Sequence, residues 1–175
     1  MSGAARLTVR RALEGDLYDA ALARIASWRC AFTGLVPQEF LDAMDPGAIA
    51  AGWKESVAAG RSRLYVAAAG DRIVGYAGVG PAREGPADTG ELYALFVHPD
   101  WWGTDAARLL TDAAIGDLRA KGCAEVWLWV LEANARARAF YQRYGFTETA
   151  ARAHSSLNNL PELRLAVDLR TAGTD

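Results

Sequence analysis

Residues 98–110, HPDWWGTDAARLL, carry the chain from an apolar stretch through a tight turn into a helical one. A strand–turn–helix junction aims backbone N–H groups and the positive end of a helix at one point, which makes a place for an anion. The N–H groups from Gly103 to Ala107 are the ones that converge. Phosphate-binding loops usually hold several glycines so that the backbone can come close to the anion. Here Gly103 remains, and Asp105 stands where another glycine is expected. The chemistry open to this stretch is capture of a phosphorylated ligand, with a carboxylate placed in the loop. One glycine is a weak signature by itself, because any such junction has the same outline.

The loop needs a strand before it and a helix after it. ELYALFV (91–97) is apolar on both alternating faces, as a central strand is. DAARLLTDAAIGDLRAKG (105–122) has apolar positions at Ala106, Leu109, Leu110, Ala113 and Ala114 and closes on Gly122, with Thr104 placed to cap it. AEVWLWVL (124–131) is a second strand buried on both faces, with Trp127 and Trp129 on one side, and NARARAFYQRYG (134–145) is a helix ending at Gly145. Upstream, LTVRRAL (7–13) alternates as a strand, and DLYDAALARIASWRCAF (16–32) has helical spacing with Asp16 as its N-cap. PQEFLDAM and PGAIAAGWKESVAAG are short helices opened by proline. RLYVAAAGDRIVGYAGVG (63–80) is a hairpin around AGD, and PAREGPADTG (81–90) is a loop. FTETA and LRLAVDL (163–169) are two last strands joined by an irregular stretch. The order gives one mixed α/β domain over residues 1–175, its core at about 5–169, with a βαβ unit at its centre.

Composition narrows the function classes. The chain has 175 residues, 51% apolar and 23% charged, with a net charge of -2. No basic patch points to nucleic acid. No apolar run approaches the roughly 18 residues that span a membrane. The N-terminal MSGAARLTVRR lacks an apolar signal core, so the expectation is a cytoplasmic protein. Cys30 and Cys123 fit no metal spacing and are expected to be small buried hydrophobes. No metal site is expected.

ELYALFVHPDWWGTDAARLL followed by VWLWVLEANARARAFYQRYGF resembles the GNAT acyltransferase family, which moves an acyl group from coenzyme A to an amine. The family pattern is a strand ending V-x-P, then Q/R-x-x-G-x-G/A and a helix. A second strand follows, then an asparagine and a helix ending F-Y-x-x-x-G-F. Asn134, Phe140, Tyr141, Gly145 and Phe146 fit the second part. In the first part Trp102 takes the cation position, Gly103, Thr104 and Asp105 follow, and Ala106 and Ala107 are acceptable at the end. The resemblance implies a GNAT fold, α/β with a mixed sheet of about seven strands flanked by helices. It also implies acetyl-CoA as cosubstrate and a small-molecule amine as acceptor.

Two effects compete at Asp105. The helix dipole favours a carboxylate in the first turn by about 0.3–1 kcal/mol. A carboxylate ~4–5 Å from a phosphate costs on the order of a few kcal/mol at intermediate dielectric, and much less if it turns to water. The expectation is weakened but surviving coenzyme A binding. The alternative is a repurposed, non-catalytic GNAT domain that binds a small molecule with weak or no coenzyme A binding.

By resemblance, Tyr141 protonates the departing thiolate, and Glu91 is a general base acting through water. Tyr141 is otherwise an aromatic packing residue beside Phe140, and Glu91 an ordinary solvated residue at a strand start. Asn134 is a cofactor contact or a plain N-cap. Backbone groups of Phe96 and Val97 would pair with the pantetheine arm. Tyr93 shares the face of Glu91. The substrate pocket would draw Trp28, Arg29, Phe32 and Phe40 from the first helices, and His154, Ser155 and Asn158 from the last loop. The exposed edges of such a sheet also leave a homodimer open.

Overall fold

The structure is a computed structural model that describes residues 6–155 and 159–170. Seven strands form one mixed sheet in the order β1-β2-β3-β4-β5-β7-β6, with helices flanking it. The strands are β1 (Leu7–Arg11), β2 (Arg63–Ala69), β3 (Arg72–Pro81), β4 (Thr89–Val97), β5 (Glu125–Leu131), β6 (Thr147–His154) and β7 (Pro161–Asp168). The helices are α1 (Leu17–Phe32), α2 (Gln38–Asp42), α3 (Pro46–Ala58), α4 (Ala106–Ala120) and α5 (Ala135–Tyr144). This is the expected mixed α/β architecture. Asn158 falls outside the described residues.

Contacts group the chain into two compact units, one up to Val79 and again over Ala94–Ala114, the other over Gly80–Tyr93 and from Ile115 onward. In the first, β1, β2 and β3 are antiparallel, and a register shift between Ala67 and Ala68 marks a bulge. Leu64, Val66, Ala68, Ile73 and Tyr76 bury themselves with Leu17 and Ala20 of α1. Each large aliphatic fully buried this way contributes about 1.5–3 kcal/mol. Trp53 of α3 and Phe96 of β4 pack against the same cluster.

In the second unit, β4 pairs in parallel with β5 over Thr89–Glu91 and Glu125–Trp127. β5 pairs antiparallel with β7, and β7 with β6. Val126, Leu128, Val130, Leu163 and Leu165 are buried on one face. Trp127, Trp129 and Leu131 of β5 lie on the other face, in register with Ala166, Arg164 and Glu162 of β7.

Local chemistry departs from the sequence reading at four points. Asp16 does not cap α1. Its carboxylate accepts from the Leu13 amide at 2.7 Å and from Arg10 at 2.5 Å, which holds it below the usual carboxylate range and closes a 3₁₀ turn over Glu14–Asp16. Cys30, in the last turn of α1, is exposed, and Cys123, between α4 and β5, is half-buried. His154 ends β6 rather than sitting in a loop, since that strand runs well past FTETA. β4 begins at Thr89, two residues early, so Glu91 lies inside the strand.

β3 and β4 come close at Gly75. A Cβ there would stand 2.8 Å from the Phe96 carbonyl oxygen and 3.1 Å from the Val97 side chain. Backbone cannot yield as a flexible side-chain tip does. Gly75→Ala is expected to lower stability by about 1–3 kcal/mol through overpacking; urea unfolding measures it, and an unchanged midpoint would contradict the close approach.

Candidate active site

The segment expected to bind an anion is a strand, a turn and a helix start. β4 ends at Val97, and a 3₁₀ turn follows over Pro99–Trp101. The His98 amide donates to the Val74 carbonyl at 2.8 Å, and the His98 ring accepts from the Asp100 amide at 3.2 Å. Trp102, at the pattern's cation position, has a structural use: its indole N–H donates to the Val97 carbonyl at 2.8 Å and ties the loop to the strand end. Gly103 adopts φ 81°, the left-handed region that favours glycine, and open space lies beside it. Thr104 donates its hydroxyl hydrogen to the Trp101 carbonyl at 2.7 Å and accepts from the Ala106 amide at 3.3 Å.

The amides of Trp101, Trp102 and Thr104 are turned into the loop's own bends. The Asp105 carbonyl accepts from Leu109 at 2.9 Å and so begins α4. The first amides of a helix have no partner within it, which leaves those of Asp105, Ala107 and Arg108 free for a ligand, with that of Gly103 just ahead. The Asp105 side chain does not fill this niche. It is 68% exposed and pairs with Arg108 at 3.3 Å, and Arg108 also reaches Asp112 at 3.0 Å. The hydrogen bond that Arg108 donates to Asp105 is the main cause of the raised Arg108 pKa.

Glu91 is the largest departure from expectation. It is 2% exposed, not a solvated residue at a strand start. Arg83, on the loop between β3 and β4, holds it with its backbone amide at 3.0 Å and with Nε and Nη2 of its guanidinium. That hydrogen bonding raises the Arg83 pKa. Tyr93, two residues along β4, donates its hydroxyl to the Pro81 carbonyl, and the Arg83 guanidinium lies 5.7 Å from its ring centre. The structure therefore brings Glu91 and Tyr93 together through a residue that the sequence reading missed. The available signal was an arginine in a glycine- and proline-rich loop eight residues before a carboxylate.

Glu91 is in register with Trp127, whose ring lies under the Gly85 backbone and beneath Arg164, with the guanidinium carbon 3.9 Å from the ring centre. Glu162 of β7 feels the Arg83 charge, but burial dominates and raises its pKa.

Tyr141 is buried in α5, edge-on to Phe140 at 5.4 Å and to Phe146 at 5.8 Å. Asn134 caps α5 by accepting from the Ala137 amide at 3.1 Å. His154 is exposed, and no hydrogen bond among the described residues joins it to the Glu91 cluster. In the first unit, Trp28 stands edge-on to Phe32 at 4.9 Å and within 5.9 Å of Phe40 and Phe96. Phe32 is buried core, and Arg29 donates to the Leu41 carbonyl at 3.2 Å, joining α1 to α2. Those contacts give both residues a packing use. No group of three or more potential metal ligands occurs among the described residues. No helix among them is long and apolar enough to cross a membrane.

The family model described as acetyltransferase (GNAT) family matches residues 23–146. The chain belongs to the GNAT family. An uncharacterized N-acetyltransferase of Bacillus subtilis, YuaI, is 30% identical over 142 residues, covering 79% of each protein. The mycothiol acetyltransferase of Beutenbergia cavernae is 49% identical over 67 residues, 38% of this chain. This GNAT chain aligns with only 23% of that relative's length, and with 29% of its counterpart from Geodermatophilus obscurus. Among solved structures, the PaiA N-acetyltransferase of Thermoplasma acidophilum in complex with coenzyme A shares the fold. Its TM-score is 0.76 at 17% identity, over 93% of this chain and 99% of that one. YncA of Salmonella typhimurium, with acetyl-CoA, gives 0.71 at 22% identity over 96% of each.

Two tests follow from the Glu91 cluster. Arg83→Ala leaves a buried carboxylate unpaired and is expected to destabilise by about 1–3 kcal/mol. Adding Glu91→Gln should recover part of that loss; a double-mutant cycle with no coupling would contradict the pairing. Glu162 carries a carboxyl whose pKa is raised on folding, so its ionisation lowers stability as pH rises through the unfolded value. Glu162→Gln is therefore expected to raise Tm at neutral pH, with the gain vanishing below about pH 4; a gain independent of pH would count against it.

Proposed function

We propose that the chain is an N-acetyltransferase that moves an acetyl group from acetyl-CoA to the amine of a small molecule, by direct attack of the amine on the thioester. The observation that carries this reading is the loop ahead of α4, with Gly103 in the left-handed region and the free amides of the first helical turn behind it. Family membership, and relatives named as acetyltransferases, support acetyl transfer.

The loop suits a pyrophosphate despite Asp105, because that carboxylate turns outward to Arg108 and leaves the amides open. The groups that would hold the phosphates are the amides of Gly103, Asp105, Ala107 and Arg108; those of Thr104 and Ala106 are used within the turn, which Trp102 and Thr104 shape. Backbone groups of Phe96 and Val97 would meet the pantetheine arm, and Asn134 is a further candidate contact for the cofactor. Acetyl-CoA, when bound, supplies the acyl group already activated as a thioester. The chain must then receive one proton from the amine and give one to the departing thiolate. Tyr141 is the donor in this reading, since a phenol, with an ordinary pKa of about 10, keeps its proton at neutral pH. Glu91 is the acceptor, directly or through water. Arg83 now occupies its lone pairs, so Glu91 takes a proton only when Arg83 yields. The Arg83 side chain is 67% exposed and can do so.

The candidate acceptor contacts are Trp28, Arg29 and Phe32 in the first unit and Tyr93 and His154 in the second. Calorimetry with acetyl-CoA and a thiol-release assay with small amines test the reading together. Wild type is expected to bind acetyl-CoA in the micromolar range. Asp105→Asn should bind only a few-fold tighter, because an exposed, ion-paired charge is strongly screened. Tyr141→Phe is expected to lower kcat about 100-fold with the KM for acetyl-CoA little changed. Binding in neither wild type nor Asp105→Asn would defeat the acetyltransferase reading. Binding only in the asparagine variant would favour a repurposed domain.

A further inference from the structure

In the first unit, α1, α3, β3 and β4 enclose an arginine among aromatic rings. The Arg24 guanidinium carbon lies 5.2 Å from the ring centre of Trp28, 5.9 Å from that of Trp53 and 5.9 Å from that of Phe96. Tyr76 closes the group, its ring centre 4.5 Å from Trp53 and 6.0 Å from Phe96. Cation–π contact accounts for the faces of these rings. It does not account for their polar edges. Among the described residues, Arg24 Nε, Trp28 Nε1 and the Tyr76 hydroxyl are buried without a hydrogen-bond partner.

Buried donors without partners are rare, and each calls for an acceptor. Two of them beside a guanidinium whose own Nε is the third is a concentration that packing does not explain. No carboxylate among the described residues pairs with Arg24. Burial pushes the Tyr76 hydroxyl up to about 12 against the opposing pull of Arg24, so the phenol stays protonated and available to donate.

We propose that Arg24, Trp28 and Tyr76 form an anion subsite that takes the carboxylate of the acceptor substrate, so that the acceptor is an amine bearing a carboxylate. The inference rests on the acetyltransferase reading for the identity of that ligand, but the subsite itself stands on the three donors. A guanidinium edge, an indole N–H and a phenol O–H match a planar monoanion with two acceptor oxygens. One cation balances one charge, whereas a phosphate dianion would lack a second counter-charge here. The rings of Trp28, Trp53 and Phe96 would enclose an apolar body attached to the carboxylate.

Trp28 and Trp53 are built-in reporters. Intrinsic fluorescence of the full chain is titrated with phenylacetate, with phenylacetamide as the uncharged isostere and with inorganic phosphate. Saturable quenching by phenylacetate is expected, at least about tenfold weaker for the amide and for Arg24→Met, where about 1.4 kcal/mol corresponds to tenfold. Tyr76→Phe should weaken it less, and circular dichroism checks that both variants fold. Equal responses to acid and amide, an unaffected Arg24→Met, or phosphate binding as well as phenylacetate would each overturn the subsite. Should Arg24→Met fail to fold, Tyr76→Phe and Trp28→Phe carry the test, and unchanged phenylacetate affinity in both would overturn it. In a separate turnover assay with acetyl-CoA, free amino acids are expected to exceed their amides in kcat/KM by at least about tenfold. Equal turnover of both overturns this inference while leaving acetyl transfer standing. Carboxylate binding without turnover of any amine removes the transferase reading and leaves the subsite.

Discussion

A carboxylate inside a sheet has to be met by a positive charge, and Glu91 is met by Arg83. Much of the second unit is arranged around that requirement. The segment between β3 and β4 cannot loop out into water, because it must return a guanidinium and a backbone amide to β4. Its path is fixed at both ends. The Ala82 amide donates to the Thr89 carbonyl at 2.9 Å, the Thr89 amide to Pro86 at 3.1 Å, and the Tyr93 hydroxyl to Pro81. Gly85 then lies flat against the Trp127 ring, where a side chain would collide. Leaving the charge without Arg83 would cost about 1–3 kcal/mol, and the pairing adds to the turn hydrogen bonds that order the segment.

The two proposed anion sites would be hosts of different kinds. At the start of α4 the donors are backbone amides, which every residue but proline supplies. Donors of that kind survive substitution of the side chains around them, such as Asp105 and Trp102. Around Arg24 the donors are side chains, each set by one residue type. The first arrangement suits a ligand common to a whole family, and the second suits one that differs from member to member.

The fold was legible because it is written in periodicity. The change from helical to alternating spacing at residue 63, the buried runs at 91–97 and 124–131, and the turn glycines at 122 and 145 correspond to the observed elements. Asn134 was legible as a cap for the same local reason. What could not be read was anything decided by distant partners. Asp16 looks like a cap until Arg10 claims it. Glu91 looks solvated because its neighbour Gly90 is a loop-like residue and its partner Arg83 lies in a loop. Arg24 escaped notice because helical spacing marks which side chains face inward and not which of them lack a partner there. The roles of Tyr141 and Asn134 in chemistry came from resemblance, and α5 itself presents them as a buried ring and a cap.

The Trp102 indole, bonded to the Val97 carbonyl at the position where the family pattern has a cation, changes what kind of object the loop is. A cation there would be an electrostatic latch, set only when the anion arrives and loosened by salt. An indole tied to the strand end is a mechanical brace, in place whether or not a ligand is present. The ordering of the loop thus belongs to folding rather than to binding, and association begins from a surface already in its final shape.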